Sequence, residues 1–143
     1  MIILDTNVVS ACMRPLKNKS VIAWLDAQPP ESLWTTTVTM FELRYGIETL
    51  VDGGDFRNDL ETAWEEIGSV IFENRILQFD MRAARAAAEL AGLRRKKRRA
   101  VGFRDTFIAG IAISRNATIA TRNMKDFKDA GVPLVDPWKE AAE

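Results

Sequence analysis

The chain has 143 residues, 47% apolar and 28% charged, and its twenty basic and twenty acidic side chains cancel, so net charge points to no polyanionic partner. Its single cysteine, Cys12, excludes an internal disulfide and a Cys-rich zinc site. The absence of histidine excludes Ser-His-Asp and Cys-His catalysis, His-based zinc sites and histidine-pair ribonuclease chemistry. GxGxxG and GxxxxGK[ST] phosphate loops are absent, no apolar run reaches the roughly 18–20 residues of a membrane span, and Asp5 interrupts what would be a leader, so a single domain over 1–143 in a reducing cytoplasm is expected.

Ile2–Leu4 reads as a short buried strand ending on Asp5. A short helix is predicted over Val21–Ala27, capped by Ser20 and stopped at Pro29-Pro30, followed by a strand over Ser32–Thr37. From Thr39, apolar residues at 40, 43, 47 and 50 give helical spacing; Asp52-Gly53-Gly54 is a turn, and Phe56–Val70 is an antiparallel partner helix. Arg75–Phe79 is a third strand. Asp80 caps an alanine-rich helix of roughly 81–93 that closes near Gly92, and the basic run RRKKRR (94–99) follows. Phe103–Ser114 is helical, Ala117–Thr121 a strand, about 123–129 a short helix, and Pro133–Val135 a last strand. Short apolar strands alternating with helices predict an α/β fold on a short, mostly parallel sheet of four to five strands. Ligands of such sheets bind beyond the carboxyl ends of the strands.

Acids cluster at those ends. Asp5 follows the first strand, where an Asx turn or helix cap is the plain alternative to a site. Glu42 follows Thr39 in a capping-box spacing, S/T-x-x-E, which also places it beyond the second strand. Asp105 lies in the first turn of FRDTFIAGIAIS, where the helix dipole favours an acid. Asp126 follows the ATIAT strand, with Asn123 just before it. Carboxylates gathered in one place cannot all ionise without a counter-charge. A divalent cation with oxygen ligands supplies one and suits phosphodiester chemistry.

As an ordered set, LDTN, TTTVTMFELRYGI, RDTFIAGIA, ATRNMKDF and the closing VDPW resemble PIN-domain ribonucleases, most of all VapC-type toxins of bacterial toxin–antitoxin pairs, from Met1 to about Trp138. The resemblance implies a three-layer α/β/α sandwich, a Mg²⁺- or Mn²⁺-dependent endoribonuclease, a cognate VapB-type antitoxin and a homodimer within a larger assembly. Residue by residue, it makes Asp5, Glu42 and Asp105 the first three acids, with Asp5 and Asp105 the metal ligands and Asn7 a supporting polar group. Many PIN domains carry an acid where this chain has Asn123. The TRN-x-x-DF version matched by Thr121–Phe127 makes Asp126 the fourth acid and leaves Thr6, Thr121 and Asn123 to line the site. An amide is a poorer ligand than a carboxylate for a hard second cation.

The run 94–99 is either a solvated helix end or a phosphate-contacting segment, with Lys96, Lys97, Arg98 and Arg99 the candidate RNA contacts. Trp24, Trp34, Trp64 and Trp138 read as core or interface residues. The helices near 39–50 and 56–70 carry apolar positions beyond the needs of one core face and offer a groove for an antitoxin helix. Two other functions fit the residues: a catalytically weak PIN-like module that binds antitoxin or RNA, and an aspartyl-phosphate phosphatase. In the latter, LDTN is similar to a D-x-D-x-T loop, but Asn7 stands where that loop has its general acid/base.

Overall fold

The computed structural model describes residues 1–140. Five short strands, β1 (Ile2–Leu4), β2 (Leu33–Thr36), β3 (Ile76–Leu77), β4 (Thr118–Ala120) and β5 (Leu134–Val135), form one sheet in the order β3-β2-β1-β4-β5. Every pairing is parallel. The chain builds outward from β1 to β3 on one side, then returns to place β4 on the other. The topological switch therefore falls between β1 and β4, where their carboxyl ends leave a crevice.

Side-chain alternation along the strands separates two cores. Ile3 and Ile119, directly paired, face one side and pack with Ala83, Leu90, Ile108 and Ile111. These come from α5 (Met81–Lys96) and α6 (Phe103–Arg115). Leu4 and Ala120, the next pair, face the other side with Val8, Val9, Val21, Leu25 and Met40. Those residues belong to α1 (Thr6–Cys12), α2 (Lys19–Asp26) and α3 (Thr37–Glu48). The result is the expected α/β/α sandwich. Gly110 lets α5 and α6 approach closely, since a Cβ there would lie 2.6 Å from the Ala83 carbonyl oxygen and from Ala87 Cβ. No helix among the described residues is long and apolar enough to cross a membrane.

Several boundaries differ from the sequence reading. α1 falls in a stretch to which the sequence reading assigns no element; Val8 and Val9 favour strands, yet both are fully buried here, and burial overrides propensity. α2 begins after Asn18 rather than at a Ser20 cap. α3 starts at Thr37, and its cap is Thr36, whose hydroxyl accepts from Thr39 N at 3.0 Å. The Thr39–Glu42 capping box is therefore not formed. The cap lies three residues earlier than expected, which carries Glu42 past the first turn and frees its side chain. The partner helix α4 (Asp55–Glu66) gives way to a π turn over Ile67–Ile71. Asp80 does cap α5, accepting from Ala83 N at 2.9 Å, but the helix runs through Gly92 to Lys96 and takes in half of the basic run. The expected helix near 123–129 is a single 3₁₀ turn, Met124–Asp126, and α7 (Pro137–Glu140) follows β5.

Candidate functional site

Asp5 leaves β1 at the crevice and is only 3% exposed. Its Oδ1 accepts from Thr6 N at 2.8 Å, and its Oδ2 from Asn7 Nδ2 at 3.0 Å and Thr121 Oγ1 at 2.7 Å. Thr121 is the residue after β4, so the strands on both sides of the switch point meet at this carboxylate. Burial pushes the Asp5 carboxyl above its ordinary range; the Thr121, Thr6 and Asn7 hydrogen bonds oppose that shift and the Glu42 charge adds to it. No basic side chain pairs with Asp5 among the described residues.

Glu42 reaches the same place from α3. Thr6 Oγ1 donates to Glu42 Oε1 at 2.9 Å and lies 3.1 Å from Thr39 Oγ1. The start of α1 is thereby joined to α3 through hydroxyls. Arg104 Nε stands 4.0 Å from Glu42 Oε2, a loose contact at the rim. Asp105 enters from the first turn of α6, and its pKa is pushed up to about 6. Burial is the first cause, followed by the charges of Asp5, Glu42 and Asp126, with Arg94 acting in the opposite direction. The other three acids are thus within electrostatic reach of Asp105.

A cleft of about 570 Å³ lies over these groups, with Asp5, Thr6, Asn7, Glu42, Asp105 and Asn123 at its polar end. Leu43, Ile47, Leu50, Phe56 and Leu60 line its apolar arm between α3 and α4. Asn123 lines this cleft and Asp126 does not, although Asp126 acts on Asp105 from nearby. The Asn123 amide N–H donates to Thr121 Oγ1 at 3.0 Å, and Asn7 Oδ1 accepts from Arg122 N at 3.3 Å. Thr121 is therefore the hub that ties β4 and its loop to Asp5. Thr121→Val removes a short hydrogen bond to the charged form of Asp5, so its carboxyl shifts further up and competes less well for a cation. A loss of about tenfold in Mn²⁺ affinity is expected in titration calorimetry at neutral pH, growing as the pH falls.

The basic run divides. Arg94 is 3% exposed and forms a bidentate pair with Asp129, Nε to Oδ2 at 2.9 Å and Nη2 to Oδ1 at 2.7 Å. It also donates to Thr106 Oγ1 at 2.9 Å and to the Asp126 carbonyl oxygen at 2.6 Å. Those hydrogen bonds hold the Asp129 carboxyl below the ordinary range. Arg99 Nε lies 3.3 Å from Asp129 Oδ2, and its Nη2 donates to the Lys125 carbonyl oxygen. Lys96, Lys97 and Arg98 are exposed. Sequence reasoning missed the role of Arg94 because a buried clamp at the head of a basic run looks like any other surface cation. Arg14, which lines the acidic cleft with its guanidinium 5.4 Å from the Phe56 ring, carried no sequence signal at all. The four tryptophans are half-buried, Trp64 Nε1 donating to the Met40 carbonyl oxygen at 2.9 Å and Trp138 lying under the Arg122 guanidinium at 3.9 Å.

The sequence profile of the PIN domain matches residues 2–133. The plasmid stability protein StbB of Pseudomonas syringae pv. tomato is 41% identical over 139 residues, 97% of this chain and 99% of that protein. A VapC ribonuclease of Sinorhizobium fredii is 34% identical over 146 aligned positions, covering 99% of this chain and all of the relative. Among solved structures, FitAcB from Neisseria gonorrhoeae superimposes with a TM-score of 0.82 at 33% identity, covering 96% of this chain and 99% of that one.

Proposed function

Because the chain belongs to the PIN-domain family, we propose that it is a metal-dependent endoribonuclease acting as the toxin of a toxin–antitoxin pair. The observation that carries this reading is the gathering of Asp5, Glu42 and Asp105, from three separate segments, in one cleft at the carboxyl end of the sheet, with the Asp126 charge acting on Asp105 from nearby. Asp5 is buried without a cationic partner, and Asp105 is raised by the other acids: the site has surplus negative charge. Among the described residues no three acidic side chains form a ready-made metal cage. An all-oxygen donor set of this open kind suits Mg²⁺ or Mn²⁺, which take one or two carboxylates and keep several waters.

Asp5 and Asp105 would hold the ion. When bound, it offsets charge on the phosphate and makes water a better nucleophile. Thr121, Asn7 and Thr6 N–H fix the Asp5 carboxylate, so it needs no reorganisation during reaction. Glu42, oriented by Thr6, is placed to take the proton of the attacking water, and Asp126 to complete the outer shell with Asn123 beside it. Water attacks phosphorus in line, the P–O3′ bond breaks, and the products end in 5′-phosphate and 3′-hydroxyl. The apolar arm between α3 and α4 suits an amphipathic segment of a cognate VapB-type antitoxin, and a homodimer within a larger assembly fits the same reading.

Single-stranded RNA incubated with the purified chain is expected to be cut with Mn²⁺ and left whole in EDTA, with 5′-phosphate on the downstream fragment. Cleavage that persists in EDTA, or fragments ending in cyclic phosphate, contradicts the proposal. No cleavage of any RNA with Mn²⁺ favours instead a PIN-like binding module, the reading to which Asn123 in the cleft lends support.

A further inference from the structure

A second cleft of about 590 Å³ shares the first turn of α6 as a wall with the acidic one: Asp105 faces the first cleft, Phe103 and Thr106 the second. Its other lining residues include Arg95, Arg98 and Arg99, with no acidic residue among them, and neither lysine of the basic run takes part. Arg99 is engaged by Asp129, whereas Arg95 and Arg98 form no ion pair among the described residues. Two uncommitted guanidinium groups thus face a concave surface beside the acids.

Two further features of this surface point to a nucleic-acid strand. Phe103 is 72% exposed, an unusual position for a phenyl ring at the mouth of a basic cleft. Its inner side is supported by Phe107, with ring centroids 6.1 Å apart and planes 15° apart, and Phe107 in turn packs on Phe79 at 4.5 Å. The outer side is free. The N-cap of α6, Gly102, has no side chain to satisfy the first-turn N–H groups, and the residues on either side of it, Val101 and Phe103, line this cleft.

We propose that this cleft binds the single-stranded RNA segment flanking the scissile phosphate, with Arg95 and Arg98 on its phosphates and an unpaired base stacked on Phe103. The assignment rests on the nuclease reading and names the form of RNA that its site accepts. Duplex RNA stacks its bases on one another and offers Phe103 no face, whereas an unpaired strand does. A strand crossing the first turn of α6 would pass from this cleft to the acids around Asp105.

The test is fluorescence anisotropy with a labelled 12-nucleotide RNA in EDTA, where binding is read without hydrolysis. The double variant Arg95→Gln/Arg98→Gln is expected to bind about tenfold more weakly, and its log Kd against log salt slope to fall by about 1.4, two phosphate contacts at roughly 0.7 each. Phe103→Ser is expected to weaken binding about fivefold or more with the salt slope unchanged. Lys96→Gln/Lys97→Gln removes the same charge outside the cleft and is expected to change Kd less than twofold. Equal losses in the lysine and arginine variants, an unaffected Phe103→Ser, or equally tight binding of a duplex of the same length would overturn the assignment. Failure of the nuclease reading is seen separately, as absence of cleavage with Mn²⁺.

Discussion

Asp105→Asn is expected to make the cation-free protein more stable at neutral pH while severely weakening RNA cleavage. In the folded chain the Asp105 carboxyl titrates at about 6, raised from an ordinary value of 3.8 by burial and by the Asp5, Glu42 and Asp126 charges. Below pH ~4 the group is protonated folded or unfolded and costs nothing. As pH rises from about 4 to 6 the unfolded chain ionises first, so stability falls, and above 6 the full penalty stands. Two units correspond to about 3 kcal/mol, and partial solvent access reduces this to about 1–2 kcal/mol. Urea denaturation in EDTA from pH 4 to 8 should show that decline in the native chain and a flatter profile in Asp105→Asn. Saturating Mn²⁺ should reverse the order, stabilising only the native chain. Loss of an ion-holding carboxylate is expected to lower kcat/KM about 10³-fold, or ~4 kcal/mol. A variant that is both less stable and inactive would mean that Asp105 has a structural role only.

Arg94→Met carries the second large effect, about 3 kcal/mol of lost stability in urea denaturation. One buried guanidinium satisfies Asp129, Thr106 and the Asp126 carbonyl oxygen together, and its removal leaves the last two without that donor and Asp129 with Arg99 alone. Arg94→Lys keeps the charge but cannot reproduce the planar fork, so it should recover less than half of the loss. Because the clamp joins the end of α5 to the start of α6 and to the end of the Met124–Asp126 turn, the lysine variant should also lower kcat/KM. Unchanged stability in Arg94→Met would show that the clamp contributes nothing to the fold.

Much of this architecture is legible in the sequence because burial and period agree. The strand ending at Asp5, the helix capped by Asp80 and the apolar face of Phe103–Arg115 each follow from short-range pattern. The elements that escaped are those where long-range contacts override local preference. Val8 and Val9 form a helix because that places both valines in the core, and Gly92 continues a helix whose final turn is held by Arg94. The same distinction holds at the candidate site. Asp5, Glu42 and Asp105 could be singled out from their places after strands and at helix starts. That Thr6 orients Glu42 across a separation of 36 positions, and that Thr121 orients Asp5 across 116, is set by the pairing of β1 with β2 on one side and with β4 on the other. Short motifs identify the acids; the pairing of distant strands arranges their partners.

The account turns on whether the surplus charge around Asp5 binds a divalent cation. Titration calorimetry of Mn²⁺ into the native chain and into Asp5→Asn, at pH 7.5 in metal-free buffer, tests this directly. Saturable binding to the native chain that weakens at least tenfold in Asp5→Asn is predicted. Equal Mn²⁺ affinity in the two proteins, or no binding to either, would contradict it.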